Sequence, residues 1–428
     1  MTQRVMTTIT VIVVLLVSIG ASCAAAQGAV INANRILPSI QQVHRQDDFN
    51  QTILELMEQA RLPSLSIGLL KNASLVFYRG FGEYNLLTGR PPTNETIYAL
   101  GSISKSITAT AIMQLYEQGK FNLDDNVSEW LPFDLKNPKY HNINITFRML
   151  LAHQSSLYEY NIENISSLMK KIGPLRTLKM LISFPFIPNV LKEPYPMLKE
   201  LLVPGGKIYM KELWMDYPPG AEANYSNLGY VILGYLVERM SNQSMENYCQ
   251  THIFDPLKMN DTRYNPKGSD RLDTAIPYIT GQGGTLIRRP HHSFIYFAPA
   301  GGMCSSVEDL SHFLIAHMNN GTYNDFCLLN SSTVALMHTI QYQNSSYTPP
   351  NSSVTMKFGL GWIFTTDEQN DTWGGHFGEI PGSIAFMRVR TSDNKGFIAY
   401  YNRTGLNETE ANAVKSIIQT IKEKLNEI

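Results

Sequence analysis

The sequence predicts a mixed α/β fold of the α+β type, in which N- and C-terminal strands form one antiparallel sheet flanked by helices. Two observations lead to this prediction. Strand-like runs occur near both ends of the chain, whereas the middle region is mainly helical. No internal repeat or long low-complexity linker divides the 428 residues, so one mixed domain over residues 47–428 fits better than two consecutive domains.

The first predicted elements are a helix over residues 47–62, where apolar residues follow helical spacing, and a hairpin of two strands over 64–70 and 74–82. A further helix starts near Ser102. The segment 160–214, rich in Leu, Met, Lys and Pro, is either a lid or substrate-shaping insert or an ordinary helical subdomain. The remaining predicted elements are helices over 147–152, 227–240 and 408–426, and strands over 359–366, 383–390 and 396–402.

Residues 1–26 have the organisation of a secretory signal peptide. Arg4 precedes the apolar run VIVVLLVSI, and small residues lead to Ala-Ala-Ala before Gln27. A retained signal anchor is the alternative, because no further charge occurs until Arg35, although the apolar part is short for a membrane span. Residues 27–46 are then an N-terminal linker. Contact with a membrane is expected only if this segment is retained.

Asparagine usage independently predicts a protein of the secretory pathway or the extracellular space. Chance would give about four or five N-x-S/T sequons, and glycans on an excess of them would solubilise a surface whose charged fraction is only 17%. The 16 sequons are at Asn50, Asn72, Asn94, Asn126, Asn144, Asn164, Asn224, Asn242, Asn260, Asn320, Asn330, Asn344, Asn351, Asn370, Asn402 and Asn407.

Charge and cysteine content exclude two further classes of protein. With 35 basic and 36 acidic residues the net charge is −1, so there is no electrostatic footprint for nucleic acid. Cys249, Cys304 and Cys327 remain after removal of the signal peptide, which is too few for a disulfide framework. We expect at most one bridge, between Cys304 and Cys327.

The run GSISKSITATAIMQL contains Ser102 and Lys105 at a spacing of i to i+3. On a helix that starts near Ser102, this spacing places both side chains on one face. A serine hydroxyl is a weak nucleophile until a base removes its proton. Lysine is such a base only where burial, positive neighbours and the helix dipole lower its pKa. The four residues therefore predict an acylating pair within one helical turn.

Two downstream motifs carry compatible chemistry. In Tyr225-Ser226-Asn227, a phenol near the lysine amine can relay a proton, and the carboxamide can hold that amine and a substrate carbonyl. The run WGGHFGE contains His376 and Gly378, and a glycine on an active-site edge strand allows close approach to the backbone. Each motif alone has little specificity.

Together, the three motifs and their order resemble the serine beta-lactamase and penicillin-binding protein superfamily. The flanking sequences extend the resemblance from residue 47 to residue 402. They are ITFRMLLAHQSSL, PPGAEANYSNLGYVILGYLVERMSN, HIFDPLKMNDT, PAGGMCSSVEDLSHFL, KFGLGW and HFGEIPGSIAFMRV. The third motif has His376 where beta-lactamases have lysine. The chain is thus more similar to the class C-related esterases and D-amino-acid peptidases, with a beta-lactamase/transpeptidase-like fold.

The resemblance implies a role for each matching residue. Ser102 is the nucleophile, Lys105 is the acylation base, and Tyr225 transfers the proton and helps to activate the deacylating water. Asn227 orients Lys105 and the substrate. For the third motif it implies that Gly378 lets the substrate approach, that the N–H of Glu379 joins that of Ser102 in an oxyanion hole, and that His376 binds substrate.

These patterns predict a secreted serine hydrolase that cleaves a small-molecule or peptide ester or amide through an acyl-enzyme, without cofactor or metal. The alternative is a non-catalytic binding or scaffold protein of the same fold.

His376 is a weak carboxylate anchor, because an ordinary imidazole is mostly neutral at pH 7. We expect it to charge near pH 5.5. His153 is expected to be structural, and the His291-His292 pair lacks a third ligand at metal-binding spacing.

Overall fold

The computed structural model describes residues 48–158, 194–207, 209–264, 273–289, 298–350 and 352–428. The predicted signal peptide and linker, residues 160–193 of the predicted insert, and the His291-His292 pair lie outside these ranges. Within the described ranges, no helix has the length and apolar character needed to span a membrane.

Helices occupy both ends of the described chain and most of its middle. A short 3₁₀ turn at Gly101–Ile103 precedes the second of them. The α-helices are α1 (Asp48–Ala60), α2 (Ser104–Glu117), α3 (Phe147–Leu151), α4 (Pro194–Leu202), α5 (Asn227–Ser241), α6 (Met245–Cys249), α7 (Ala298–Gly301), α8 (Val307–Met318), α9 (Ser331–Met337) and α10 (Glu408–Glu427).

The longer strands lie near the two ends of the described chain, as the sequence predicts. The strands are β1 (Ser64–Lys71), β2 (Ser74–Gly82), β3 (Tyr98–Ala99), β4 (Arg263–Tyr264), β5 (Tyr278–Thr280), β6 (Leu286–Arg288), β7 (Met303–Ser305), β8 (Thr322–Tyr323), β9 (Phe326–Cys327), β10 (Lys357–Phe358), β11 (Ile363–Thr366), β12 (Thr372–Ile380), β13 (Ser383–Arg390), β14 (Lys395–Tyr401) and β15 (Arg403–Thr404).

The main sheet joins the two ends of the chain. Its seven strands have the order β10-β11-β12-β13-β14-β1-β2, and every neighbouring pair is antiparallel. Leu65 in β1 pairs with Tyr401 in β14, which makes the N-terminal hairpin a continuation of the C-terminal strands. The predicted antiparallel sheet built from both ends of the chain is confirmed.

Side chains point alternately to the two faces of the sheet along each strand, and helices pack on both faces. On one face, Leu65 and Ile67 are buried in an apolar cluster with residues of α1 and α10, and these two helices also pack against each other. On the other face, Gly68 leaves room for Val307 of α8, where a Cβ would lie 2.6 Å from the valine Cγ1. The second face supports the larger helical core that contains α2 and α5.

Strand β12 lies inside the sheet, but one side of it is paired over only part of its length, and the unpaired part positions the site. Strand β11 pairs with β12 only at Thr372 and Trp373, whereas β13 pairs with β12 along its whole length. The part of β12 after Trp373 is therefore unpaired by β11 and lies against the 3₁₀ turn at Gly101–Ile103.

The predicted Cys304–Cys327 disulfide is wrong. Cys304 is buried in β7, the middle strand of a small sheet of order β3-β7-β4. Cys327 is exposed in the β8–β9 hairpin, and both thiols are free, as is that of the buried Cys249. Burial raises the pKa of Cys304 to about 12, so this thiol behaves as a small core side chain.

Candidate active site

Ser102 lies in the 3₁₀ turn that leads into α2, which confirms the predicted helix start. Gly101 has a φ of +51°, and a Cβ there would lie 2.8 Å from the backbone nitrogen of Glu379. The Ser104 hydroxyl donates to the Gly101 carbonyl over 2.7 Å and stabilises the turn. Glycine therefore lets the turn approach β12 closely, and Ser102 stays partly exposed at the junction.

Lys105 is fully buried one turn after Ser102. Its Nζ lies 2.9 Å from Ser102 Oγ and donates to the side-chain oxygen of Asn227 and the carbonyl of Ala300, each over 2.6 Å. The Nζ also lies 4.8 Å from the centre of the Tyr225 ring. Three oxygens therefore lie within hydrogen-bond distance of this Nζ, and none of the three carries a full charge.

Tyr225 lies on the irregular segment before α5 and is positioned by His153. The two rings stack with centroids 4.4 Å apart, and the backbone N–H of Ser226 donates to His153 Nδ1 over 3.0 Å. Burial, followed by the positive charge of Lys105, lowers the pKa of His153 well below its usual value. The imidazole is therefore neutral and its Nδ1 is available as an acceptor. The structural role expected of His153 takes this specific form.

Asn227 is the first residue of α5. The Ser226 hydroxyl caps this helix by accepting from the backbone N–H of Gly229 over 3.2 Å, which fixes the backbone next to Asn227. The preceding Asn224 is fixed as well, since its side-chain amide donates to the Leu157 carbonyl over 2.8 Å. The Tyr225 segment is thus held on both sides.

Gly378 brings β12 against the turn that carries Ser102. A Cβ on Gly378 would lie 1.9 Å from the Leu100 carbonyl oxygen and 2.7 Å from the Ser102 backbone nitrogen. Only glycine fits at such a distance. The backbone N–H groups of Ser102, in the first turn of a helix, and of Glu379, on the strand edge, therefore lie on two segments in direct contact. The carboxylate-bearing side chain of Glu379 is exposed.

His376 also lies beside the lysine but does not have an ordinary pKa. It is 1% exposed, its Nδ1–H donates to the Phe377 carbonyl over 2.6 Å, and its ring lies 6.3 Å from that of Tyr225. Burial, and next the charge of Lys105, lowers its pKa to about 3. The expectation that His376 becomes charged near pH 5.5 is wrong, because the site has no exposed imidazole to titrate there.

The sequence comparisons agree with this geometry. The sequence model of the Beta-lactamase family matches residues 49–420, which is most of the chain. The chain belongs to the Beta-lactamase family. Protein flp of Staphylococcus aureus (strain MW2) is 24% identical over 353 residues, covering 82% of this chain and 62% of that protein. The chain thus spans less than two thirds of the length of this relative.

Other similar proteins lead to the same family. Penicillin-binding protein 4* of Bacillus subtilis is 24% identical over 367 residues, covering 82% of this chain and 70% of that protein. The octameric penicillin-binding protein homologue from Pyrococcus abyssi has a TM-score of 0.66 at 25% identity, covering 86% and 76% of the two chains. The D-amino acid amidase from Ochrobactrum anthropi SV3 has a TM-score of 0.65 at 19% identity, with 88% and 100% covered. The beta-lactamase/transpeptidase-like fold is confirmed, and family membership supports a serine hydrolase.

The structure brings together Ser102, Lys105, Tyr225, Asn227 and the third motif, as the sequence predicts. Two contributors were missed. The Ala300 carbonyl binds Lys105, and its only signal was the PAGG run that carries part of the family resemblance. Ser345 contacts the Tyr225 segment from a distant loop and belongs to none of the three motifs of the predicted site.

Proposed function

We propose that this protein hydrolyses a small ester or amide through an acyl-enzyme on Ser102, with Lys105 as the acylation base. The observation that carries the proposal is the 2.9 Å separation between Lys105 Nζ and Ser102 Oγ. A base must lie within hydrogen-bond reach of the proton that it removes, and this one does. A neutral amine has two hydrogens, which the Asn227 side-chain oxygen and the Ala300 carbonyl can accept, and its lone pair can then take the proton of Ser102.

In the acylation step, Ser102 Oγ forms a bond to the substrate carbonyl carbon while Lys105 Nζ takes the hydroxyl proton. The carbonyl oxygen becomes an oxyanion, and the N–H groups of Ser102 and Glu379 donate to it. The proton then passes from Lys105 by way of the Tyr225 hydroxyl to the leaving oxygen or nitrogen. The bond to that atom breaks, and an ester on Ser102 remains.

In the deacylation step, water replaces the alcohol or amine. The Tyr225 hydroxyl passes its proton to the neutral amine of Lys105 and takes one from the water, while the water oxygen attacks the ester carbonyl, and Lys105 later returns the proton to Ser102. The bond between the acyl carbon and Ser102 Oγ breaks, the serine recovers its proton, and the carboxylic acid leaves. Asn227 orients Lys105 in both steps through the hydrogen bond to its Oδ1. The cycle consumes one water and needs no cofactor.

The third motif favours substrates without an essential carboxylate. His376 is neutral and 1% exposed, so it offers neither a fixed positive charge nor an accessible surface to an anionic group. The proteins of similar structure include a D-stereospecific amidohydrolase from Streptomyces and a D-amino acid amidase. We propose an uncharged ester or amide as the substrate and expect beta-lactams to be poor ones.

An activity-based probe tests the proposal. A fluorophosphonate should label the wild-type protein at Ser102, and Ser102→Ala should abolish labelling and turnover of p-nitrophenyl esters while the thermal midpoint stays within about 2 °C. Lack of labelling in a folded, deglycosylated wild-type protein would favour the non-catalytic scaffold instead. A panel of p-nitrophenyl esters and D-aminoacyl amides then separates esterase from peptidase activity.

We also propose that the protein is secreted and N-glycosylated, on the basis of its N-terminal sequence and sequon number. Among the described sequons, Asn144, Asn260 and Asn320 are exposed, as a glycan requires. Asn402 is different: it is 1% exposed, and its amide donates to two backbone carbonyls. N-terminal sequencing of protein secreted from eukaryotic cells tests cleavage after Ala26.

A further inference from the structure

The position of Tyr225 depends on hydrogen bonds made by its neighbours, because the segment before α5 has no regular secondary structure. On one side of this segment, the backbone N–H of Asn224 donates to the His153 carbonyl over 2.8 Å, and that of Ser226 donates to His153 Nδ1. The residue after His153 is Gln154, which also contacts the segment, since its carbonyl accepts from Gly220 over 2.7 Å.

A third segment is tied to both of these by one hydroxyl. Ser345 lies on the loop between α9 and β10 (the α9–β10 loop), more than 100 residues away from either partner along the chain. Its Oγ accepts from the backbone N–H of Ala223 over 2.7 Å and from the side-chain Nε2 of Gln154 over 2.7 Å. Ala223 is two residues before Tyr225, and Gln154 follows the histidine on which the tyrosine stacks.

The α9–β10 loop is itself fixed, so this hydroxyl has a defined place. The backbone N–H of Ser345 donates to the Tyr342 carbonyl over 3.1 Å, and Tyr347 and Met356 exchange two backbone hydrogen bonds of 2.9 and 2.8 Å. The Tyr347 ring packs near that of Tyr225, with centroids 6.4 Å apart. The loop thus contacts the Tyr225 segment through both an aromatic ring and a hydrogen-bonded hydroxyl.

We propose that Ser345 is a positioning residue for Tyr225, and that the α9–β10 loop thereby sets the efficiency of proton transfer to the leaving group. The inference rests on the proposed function of Tyr225 as the proton relay. Loss of the hydroxyl frees one side of the Tyr225 segment, and small misplacements of a catalytic group reduce rates strongly. Ser102 and Lys105 lie in the adjacent turn at Gly101–Ile103 and at the start of α2, where local helical geometry sets their 2.9 Å contact, so the attacking pair keeps its geometry.

The leaving group distinguishes these effects. Ethoxide needs a proton to leave, whereas p-nitrophenolate is stable without one, so a disturbed relay slows hydrolysis of an ethyl ester more than that of the p-nitrophenyl ester of the same acid. For Ser345→Ala we expect kcat/KM for ethyl butyrate to fall at least tenfold, and kcat/KM for p-nitrophenyl butyrate to fall less than threefold. Fluorophosphonate labelling of Ser102 should also change less than threefold. Ser345→Thr, which keeps an oxygen at this position, should restore most of the ethyl ester activity.

Two further variants keep the test decisive if Ser345→Ala folds poorly. Gln154→Met removes one of the two donors at similar volume and should produce the same leaving-group dependence to a smaller degree. Ser352→Ala, on the same loop, removes a hydroxyl that accepts from the nearby Val354 N–H and should leave both rates unchanged.

An equal loss for the two esters in Ser345→Ala, or no loss for either, would overturn the positioning role while the proposed function stands. A wild-type protein that is neither labelled nor active would instead overturn the proposed function. The two failures are therefore distinguishable.

Discussion

The two halves of the site are built in different ways. Ser102 and Lys105 are three residues apart at the start of α2, and local helical geometry is enough to place Lys105 Nζ 2.9 Å from Ser102 Oγ. The Tyr225 half has no such local source. It depends on contacts from His153 and from the α9–β10 loop, which are remote in the sequence. We expect the helical turn to tolerate changes elsewhere in the chain, whereas the position of Tyr225 should be disturbed when one of its supports is removed.

The largest effect is expected from a change in the half of the site formed by Ser102 and Lys105. Lys105→Met keeps the buried apolar stem but removes the amine, so Ser102 loses its proposed base, and Asn227 and Ala300 lose a donor. Turnover of p-nitrophenyl butyrate should fall about 10⁴-fold or more. The measurement is kcat/KM, with circular dichroism as a folding control. Residual activity within about tenfold of wild type would show that another group is the base.

The second largest effect is expected from separating β12 from the turn at Gly101–Ile103, because these segments carry the two N–H groups of the proposed oxyanion hole. Gly378→Ala places a Cβ 1.9 Å from the Leu100 carbonyl oxygen, so the strand must move away from the turn at Gly101–Ile103. We expect a loss of about 1–3 kcal/mol in the free energy of unfolding and at least a 100-fold loss of activity. Urea unfolding measures the first quantity.

The matched control is Gly229→Ala in α5, where a Cβ meets nothing nearer than 3.6 Å. This substitution should be neutral or slightly stabilising, because alanine favours a helix more than glycine does. Equal behaviour of the two alanine variants would contradict the close approach of β12 to the turn at Gly101–Ile103.

The third prediction concerns the Tyr225 half of the site, from which the contact with His153 is removed. His153→Phe keeps an aromatic ring against Tyr225 but leaves the Ser226 N–H without its acceptor. We expect about a tenfold loss of kcat, with fluorophosphonate labelling of Ser102 nearly unchanged. An equal loss of labelling would mean that His153 supports the nucleophile as well, and the division of the site into two halves would be wrong.

The fourth prediction concerns the packing beneath α2. His317 is buried with its Nε2 3.2 Å from the Thr110 hydroxyl of that helix, and its ring lies 5.4 Å from that of His338. Burial lowers the pKa of His338 to about 4, and burial followed by His338 lowers that of His317 well below its usual value. The unfolded chain therefore binds more protons than the folded one in acid.

The direction in which stability changes with pH follows from these lowered pKa values. The stability contributed by the neutral rings is fully present above about pH 6.5 and is lost as the pH falls towards 4, by up to about 3 kcal/mol for His338. Urea unfolding at pH 7.5 and 4.5 should show a smaller difference for His338→Phe than for wild type. His141→Phe, at an exposed site, is the control. Parallel losses in all three proteins would exclude His338 as a source of acid sensitivity.

The smallest expected effect concerns which asparagines carry glycans and does not change the rate of catalysis. Because the Asn224 side chain is held against Leu157 beside Tyr225, and Asn402 is buried, glycopeptide mass spectrometry should find both unmodified. The exposed Asn320 and Asn144 should be occupied in the same secreted sample. High occupancy at Asn224 would mean that the Tyr225 segment is more open than the structure shows.

The sequence predicted the parts of the molecule that depend on local or repeated patterns. The bounds of β2 and β13 match the prediction because alternating and β-branched residues end at clear turns, and the start of α2 places Ser102 beside Lys105. The sequence could not predict the anchor at Ser345, because a single serine in a loop carries no periodicity.

Burial was the second quantity that the sequence could not supply. His376 was assigned an ordinary pKa because its motif says nothing about exposure, and in the folded chain the loss of solvent lowers that pKa to about 3. The Cys304–Cys327 pairing was wrong for a related reason: one thiol is buried in a small internal sheet and the other is on a surface hairpin. Neither environment can be recognised from residue spacing.

Detection of the acyl-enzyme tests most directly whether Ser102 is the nucleophile. Wild-type protein mixed with p-nitrophenyl butyrate and quenched in acid during turnover should carry one added butyryl group, located by peptide mass spectrometry on Ser102. The group should be absent from Ser102→Ala. Turnover without any adduct in wild type, or an adduct on another residue that persists in Ser102→Ala, would contradict nucleophilic catalysis by Ser102.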